Sequence, residues 1–168
     1  MQVKEVFSPQ EIKTVEKLAF EIWNEYYPSI IGQEQVDYML AHFQRAQFII
    51  EQMRDSYHYF LLFEDETPIG YISVQRQEYA LFLSKLYIKK DARQKGYAKE
   101  AIEFVKRFAL IHELSHISLT VNKHNAIAIL AYERLGFKKR GSLVQDIGEG
   151  FKMDDFCFEL SAEREERP

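Results

Sequence analysis

The chain has 168 residues, 46% of them apolar, and a formal charge of −4. That length fits one domain with a full core, and the mildly acidic balance argues against a general nucleic-acid binder, which is more often basic. Its lone cysteine, Cys157, excludes an intrachain disulfide and suits a reducing cytoplasm. No stretch approaches the roughly 20 apolar residues that cross a bilayer, and charges at Lys4 and Glu5 do not suit a secretory signal. The expectation is a cytoplasmic protein with no membrane or nucleic-acid partner. One domain over residues 1–160 is followed by a charged tail, 161–168, and 13 Phe with 10 Tyr imply an aromatic interior.

In chain order, Val3 to Phe7 alternates as a short first strand. Ser8, Pro9 and Glu11 announce a helix through a capping box with proline at its first position. Ile12, Val15, Leu18, Ala19, Ile22 and Trp23 then recur at helical spacing as far as about Tyr26, where Pro28 stops the run. A second helical region spans Gln33 to Arg54, with a break near Arg45 and with Val36, Leu40, Phe43, Phe48 and Ile49 as its buried side. Tyr59–Phe63 and Ile69–Val74 make a hairpin around Asp65–Pro68, and Leu81–Ile88 is the next strand. A helix from Gly96 to about Glu113 precedes a strand at Ile117–Val121, and Asn125–Leu135 is a short helix stopped by Gly136. Two final strands, Phe137–Val144 and Lys152–Leu160, flank the loop Asp146–Gly150. The order β-α-α-β-β-β-α-β-α-β-β predicts an α/β fold: a three-layer arrangement with helices on the faces of a mixed sheet, one strand pair being parallel across its helix.

Two constellations carry chemistry. In the first, a strand ends at Tyr87-Ile88 and a helix starts at Gly96, with Lys89, Lys90, Arg93 and Lys95 between them. A phosphate needs free N–H groups and no Cβ in its way. Gly96 supplies the clearance, Ala98 keeps the next position small, and the amides of Gln94 to Ala98 can converge. The competing reading is a solvated basic loop. In the second, Asn125, Ala128 and Tyr132 share one helical face, where an amide could bind a polar group and a phenol could donate a proton. There the competing reading is that Asn125 caps the helix and Tyr132 packs.

These residues resemble the GNAT superfamily of acetyl-CoA-dependent N-acetyltransferases. The R/Q-x-x-G-x-G/A signature stands as Arg93-Gln94-Lys95-Gly96-Tyr97-Ala98, and a later pattern stands as Val121, Asn125, Ala128, Tyr132, Gly136 and Phe137. The resemblance covers nearly the whole chain. It implies that the Gln94–Ala98 amides hold the CoA pyrophosphate and that Tyr87 and Ile88 offer strand-end backbone to pantetheine, with Asn125 contacting the same arm. Tyr132 is implied as the general acid at the thioester sulfur, with acetyl-CoA as co-substrate, a small-molecule amine as acceptor and no metal. A homodimer is left open.

One departure matters. Many members carry Glu four residues before the Leu of the strand end, and Phe82 stands there instead. Asp146, Glu149 or a water path could then receive the acceptor's proton. Tyr26, Tyr27 and Tyr38 are candidates either to line an acceptor pocket or to pack. His112-Glu113-Leu114-Ser115-His116 reads literally as a zinc-protease motif, but the pattern changes from helix to strand inside it, so its histidines should diverge. The reading is an N-acetyltransferase acting by direct attack of a primary amine, with a small cationic amine or polyamine favoured. The alternative is a catalytically silent CoA-binding regulatory domain.

Overall fold

The computed structural model describes residues 1–163. Its elements are β1 Gln2–Glu5, α1 Pro9–Tyr26, α2 Pro28–Ile31, α3 Gln33–Phe43, α4 Ala46–Arg54, β2 Tyr57–Glu64, β3 Thr67–Arg76 and β4 Leu81–Ile88. A 3₁₀ turn at Lys90–Ala92 then leads to α5 Tyr97–Ile111, β5 His116–Asn122, α6 Ala126–Arg134, β6 Lys138–Gly148 and β7 Phe151–Ser161. The strands hydrogen-bond in the order β1-β2-β3-β4-β5-β7-β6. β4 and β5 pair in parallel at Leu81↔Ile117 and Phe82↔Ser118, whereas β1–β2, β2–β3, β5–β7 and β6–β7 are antiparallel. This is the expected mixed α/β architecture.

The chain forms two compact units: Met1–Gln75 with Lys85–Ala101, and Arg76–Ser84 with the chain from Ile102 onward. In the first, the expected α1 stripe is buried at each of its six positions, from Ile12 to Trp23. Ser8 Oγ accepts the Glu11 N–H, and the Glu11 carboxylate accepts the N–H groups of Ser8 and Phe7. That bond draws Phe7 out of β1 and leaves it 73% exposed, so the strand ends earlier than its alternation suggested. The second helical region divides at Gln44, with Arg45 extended at φ −77°, and Pro28 starts the additional turn α2. Met39 rather than Leu40 is buried beside Val36, and Phe43 and Phe48 are only half-buried. Gly70 is required by a close approach, since a Cβ there would lie 2.3 Å from the Tyr87 carbonyl oxygen.

In the second unit, Ile102, Val105 and Ala109 of α5, the alternating Ile117, Leu119 and Val121 of β5, and Phe158 and Leu160 of β7 are buried. The β6–β7 hairpin turns at Glu149 and Gly150, both at positive φ (50° and 82°), the combination of a tight two-residue hairpin. The strands therefore run into what the sequence suggested was a longer loop. At the C-terminus, Ser161 belongs to β7 and Ala162 is buried with its N–H on the Ser115 carbonyl, so the tail starts later than expected. Residues 164–168 of that tail lie outside the described part. Among the described residues, no helix is long and apolar enough to cross a membrane.

Candidate active site

In the first unit, β4 delivers Tyr87 and Ile88 to a loop that ends at α5. Gln94 and Gly96 both have positive φ, 62° and 87°. A Cβ on Gly96 would meet no protein atom, so within the protein the glycine answers to its φ rather than to crowding. The Gly96 carbonyl accepts the Glu100 N–H, and the N–H groups of the first turn, Tyr97 and Ala98 among them, have no acceptor within the helix. They point the positive end of the helix dipole outward, which favours an anion.

The four cations of this loop are not spare charge. Lys89 pairs with Glu21 at 3.1 Å, Lys90 with Glu25 at 3.9 Å, Arg93 with Glu25 at 2.7 Å and Lys95 with Glu64 at 3.3 Å. The expected basic rim is thus largely neutralised by acids from α1 and β2, and the backbone N–H groups are the loop's main attraction for an anion. Arg93 acts as a brace: its Nε donates to the Ile88 carbonyl at 2.9 Å and its guanidinium lies 5.0 Å from the Tyr26 ring. Tyr97 donates to Glu64, which pushes the phenol up to about 12 and holds the carboxyl below its ordinary range.

Of the three tyrosines, Tyr26 and Tyr27 join this loop. Tyr27 stacks on Trp23 at 4.3 Å and meets Tyr87 edge-on at 6.2 Å, and Tyr26 meets Tyr27 at 5.1 Å. Tyr38 stacks on His42 at 4.2 Å.

In the second unit, Asn125 is buried and its Oδ1 accepts the Ala128 N–H, which makes it the N-cap of α6. The far end of α6 closes by a complete Schellman motif. Phe137 N–H bonds the Tyr132 carbonyl, Gly136 N–H bonds the Glu133 carbonyl, and Gly136 sits at φ 94°. The matching apolar contact is the Tyr132 ring edge-on to Phe137 at 5.4 Å. The Gly136-Phe137 pair therefore sets where the phenol points. Phe82 is half-buried in β4 opposite Ser118. Asp146 is exposed and accepts the Gly148 N–H at 2.9 Å, a turn-forming role, and Glu149 occupies the hairpin turn itself.

Two buried ionisable groups escaped the sequence reading. Lys85 is 6% exposed, and its Nζ donates to the Tyr59 hydroxyl (2.6 Å), the Phe43 carbonyl (3.2 Å) and Gln52 Oε1 (3.3 Å). Burial pushes its ammonium down to about 7. The signal was its place in the alternating run Leu81, Leu83, Lys85, whose members are all buried. Asp155, opposite Asn122 on β7, is 2% exposed, and its Oδ1 has no hydrogen-bond partner among the described residues. Burial pushes its carboxyl up to about 6, while a Thr120 hydrogen bond pulls the other way. The expected divergence of His112 and His116 is observed: α5 ends at Ile111, Glu113 has φ 60°, and His116 opens β5.

The sheet is mixed and seven-stranded, with one parallel pair bridged by a helix that a positive-φ glycine starts. Residues 17–137 match the acetyltransferase (GNAT) family, and the chain belongs to it. It is 30% identical over 133 residues to an uncharacterised N-acetyltransferase, YokL, from the SPbeta prophage of Bacillus subtilis (strain 168), covering 73% of this chain and 75% of that one. Among solved structures it resembles the PaiA N-acetyltransferase of Thermoplasma acidophilum in complex with coenzyme A, with TM-score 0.76, 19% identity, and coverage of 96% and 99%. A chimeric spermidine N-acetyltransferase, SpeG, from Vibrio cholerae is similar at TM-score 0.69 and 18% identity, with coverage of 96% and 97%. The chain is an N-acetyltransferase by family.

Proposed function

We propose that residues 1–160 act as one catalytic domain that moves an acetyl group from acetyl-CoA to a primary amine, with a small cationic amine or polyamine as acceptor. The observation that carries the donor side is the loop from Arg93 to Ala98. It is braced at both ends by acids and opens onto unshared α5 N–H groups, which suits a pyrophosphate. The relative solved with coenzyme A supports the same donor. Tyr87 and Ile88 offer backbone to the pantetheine arm. The Ile88 carbonyl also accepts the Arg93 Nε–H, which fixes the strand end beside the loop. Asn125 and Ala128 shape the start of α6 along the arm.

Acyl transfer needs no covalent enzyme intermediate. The amine nitrogen attacks the thioester carbonyl, the C–S bond breaks, and Tyr132 gives its proton to the leaving thiolate. An alkylamine of pKa about 10.4 must first lose a proton, at a cost of about 4–5 kcal/mol at neutral pH. Phe82 cannot accept it, which leaves water or a carboxylate elsewhere. The overall acidity and the spermidine enzyme among the similar structures support a cationic acceptor.

The test is free-thiol release from acetyl-CoA with a panel of polyamines, amino acids and peptide N-termini. Amine-dependent release supports the reading. Thermal stabilisation by CoA with no release from any amine would make the chain a silent CoA-binding domain instead.

A further inference from the structure

The N-terminal half of α1 and the α3–α4 corner enclose a cleft of about 450 Å³. Lys13 and Lys17 of α1 and Arg45 of the corner all line it, and among the described residues their side chains have no carboxylate within ion-pair distance. Glu16 also lines it, and its Oε2 accepts the Ala46 N–H at 2.5 Å in the first turn of α4. Phe20, 64% exposed, and the half-buried Leu40 supply an apolar wall. The buried Gln44 forms the floor, held by the Tyr71 hydroxyl at 3.1 Å.

This is the reverse of the donor loop, where each cation has an acid. Three cations and one carboxylate leave the opening with net positive charge, which favours a ligand anion. An exposed phenyl ring in the same opening gains by covering an apolar body. The volume lies in the range of small-molecule pockets. Along α1, Lys13 stands about 18 Å from Glu25, which braces the donor loop, at 1.5 Å per residue. We propose that this cleft is a second ligand site, separate from the donor loop, for a small amphiphilic anion: a carboxylate or phosphate carried on an aromatic or branched aliphatic body. An occupant would touch the corner beside Phe43, whose carbonyl Lys85 holds.

The test is binding, followed by amide chemical shifts on the full chain, with phenyl phosphate and phenylacetate as probes and inorganic phosphate and benzyl alcohol as controls. At least one probe should bind saturably, shifting residues 13–20 and 40–45, and the stronger of the two identifies the headgroup. The double variant Lys13→Gln/Lys17→Gln should weaken binding about tenfold, and Phe20→Ser should weaken it while leaving inorganic phosphate unaffected. These side chains are exposed, so the variants should fold, and stabilisation by CoA should be unchanged. The proposal is overturned if neither probe binds saturably at millimolar concentration, if benzyl alcohol binds as well as the anions, if inorganic phosphate binds as tightly as phenyl phosphate, or if the double variant binds normally.

Discussion

The Tyr59 hydroxyl lies 2.6 Å from Lys85 Nζ inside the first unit, and the pair ties β2 and β4 to α4 through Gln52. Lys85 has three acceptors and no carboxylate among them. The folded chain releases this proton near pH 7, whereas the unfolded chain keeps it to the ordinary lysine value of 10.5. Between those values the unfolded state binds more protons, so stability rises with pH there, and the cost of the charge is fully present below pH 7. That cost is at most about 5 kcal/mol. Lys85→Met should therefore be most favourable relative to the parent at pH 6–7 and lose that advantage towards pH 10. Urea unfolding of both proteins across this range checks it, and parallel curves would count against a titrating Lys85.

Asp155 gives the opposite sign. Its carboxyl titrates at about 6 in the folded chain against an ordinary 3.8, so its burial cost is present above pH 6 and gone below pH 4. Asp155→Asn should raise stability at pH 7.5 by up to about 3 kcal/mol and have little effect at pH 3.5. Thermal melts at the two values read this directly. If the variant also loses the acidic limb of its rate profile, Asp155 takes part in handling the acceptor's proton.

Gly70→Ala places a methyl group 2.3 Å from the Tyr87 carbonyl, against backbone that cannot yield cheaply. A loss of about 1–3 kcal/mol is expected from overpacking of this kind. Because relief of the clash must shift the Tyr87-Ile88 strand end assigned to pantetheine, stabilisation by CoA should fall as well. A destabilised variant with unchanged CoA affinity would separate Tyr87 from donor binding.

Patterns local in the chain and the parallel strand pair implied by the element order were readable, and side-chain pairings between distant residues were not. The α1 stripe, the Ser8–Glu11 box, the break near Arg45 and the Gly136 stop follow from spacing or cap chemistry within a few residues. The donor loop was visible as charge, but Glu25 and Glu64, which neutralise that charge, lie 68 and 31 residues from their partners. No periodicity announces such pairings. Asn125 was read with two roles, and the structure assigns its Oδ1 to the helix cap. Lys85 in an apolar register was a legible anomaly, whereas Asp155 sat among surface-like acids and gave little warning.

The central claim is tested most directly by amine-dependent thiol release from acetyl-CoA, comparing the parent chain with Tyr132→Phe. The account predicts release with at least one primary amine, a fall of about 10²–10⁴-fold in the variant, and stabilisation by CoA retained in both. The account is contradicted if CoA neither stabilises the chain nor is released as free thiol with any amine, or if the variant turns over as fast as the parent.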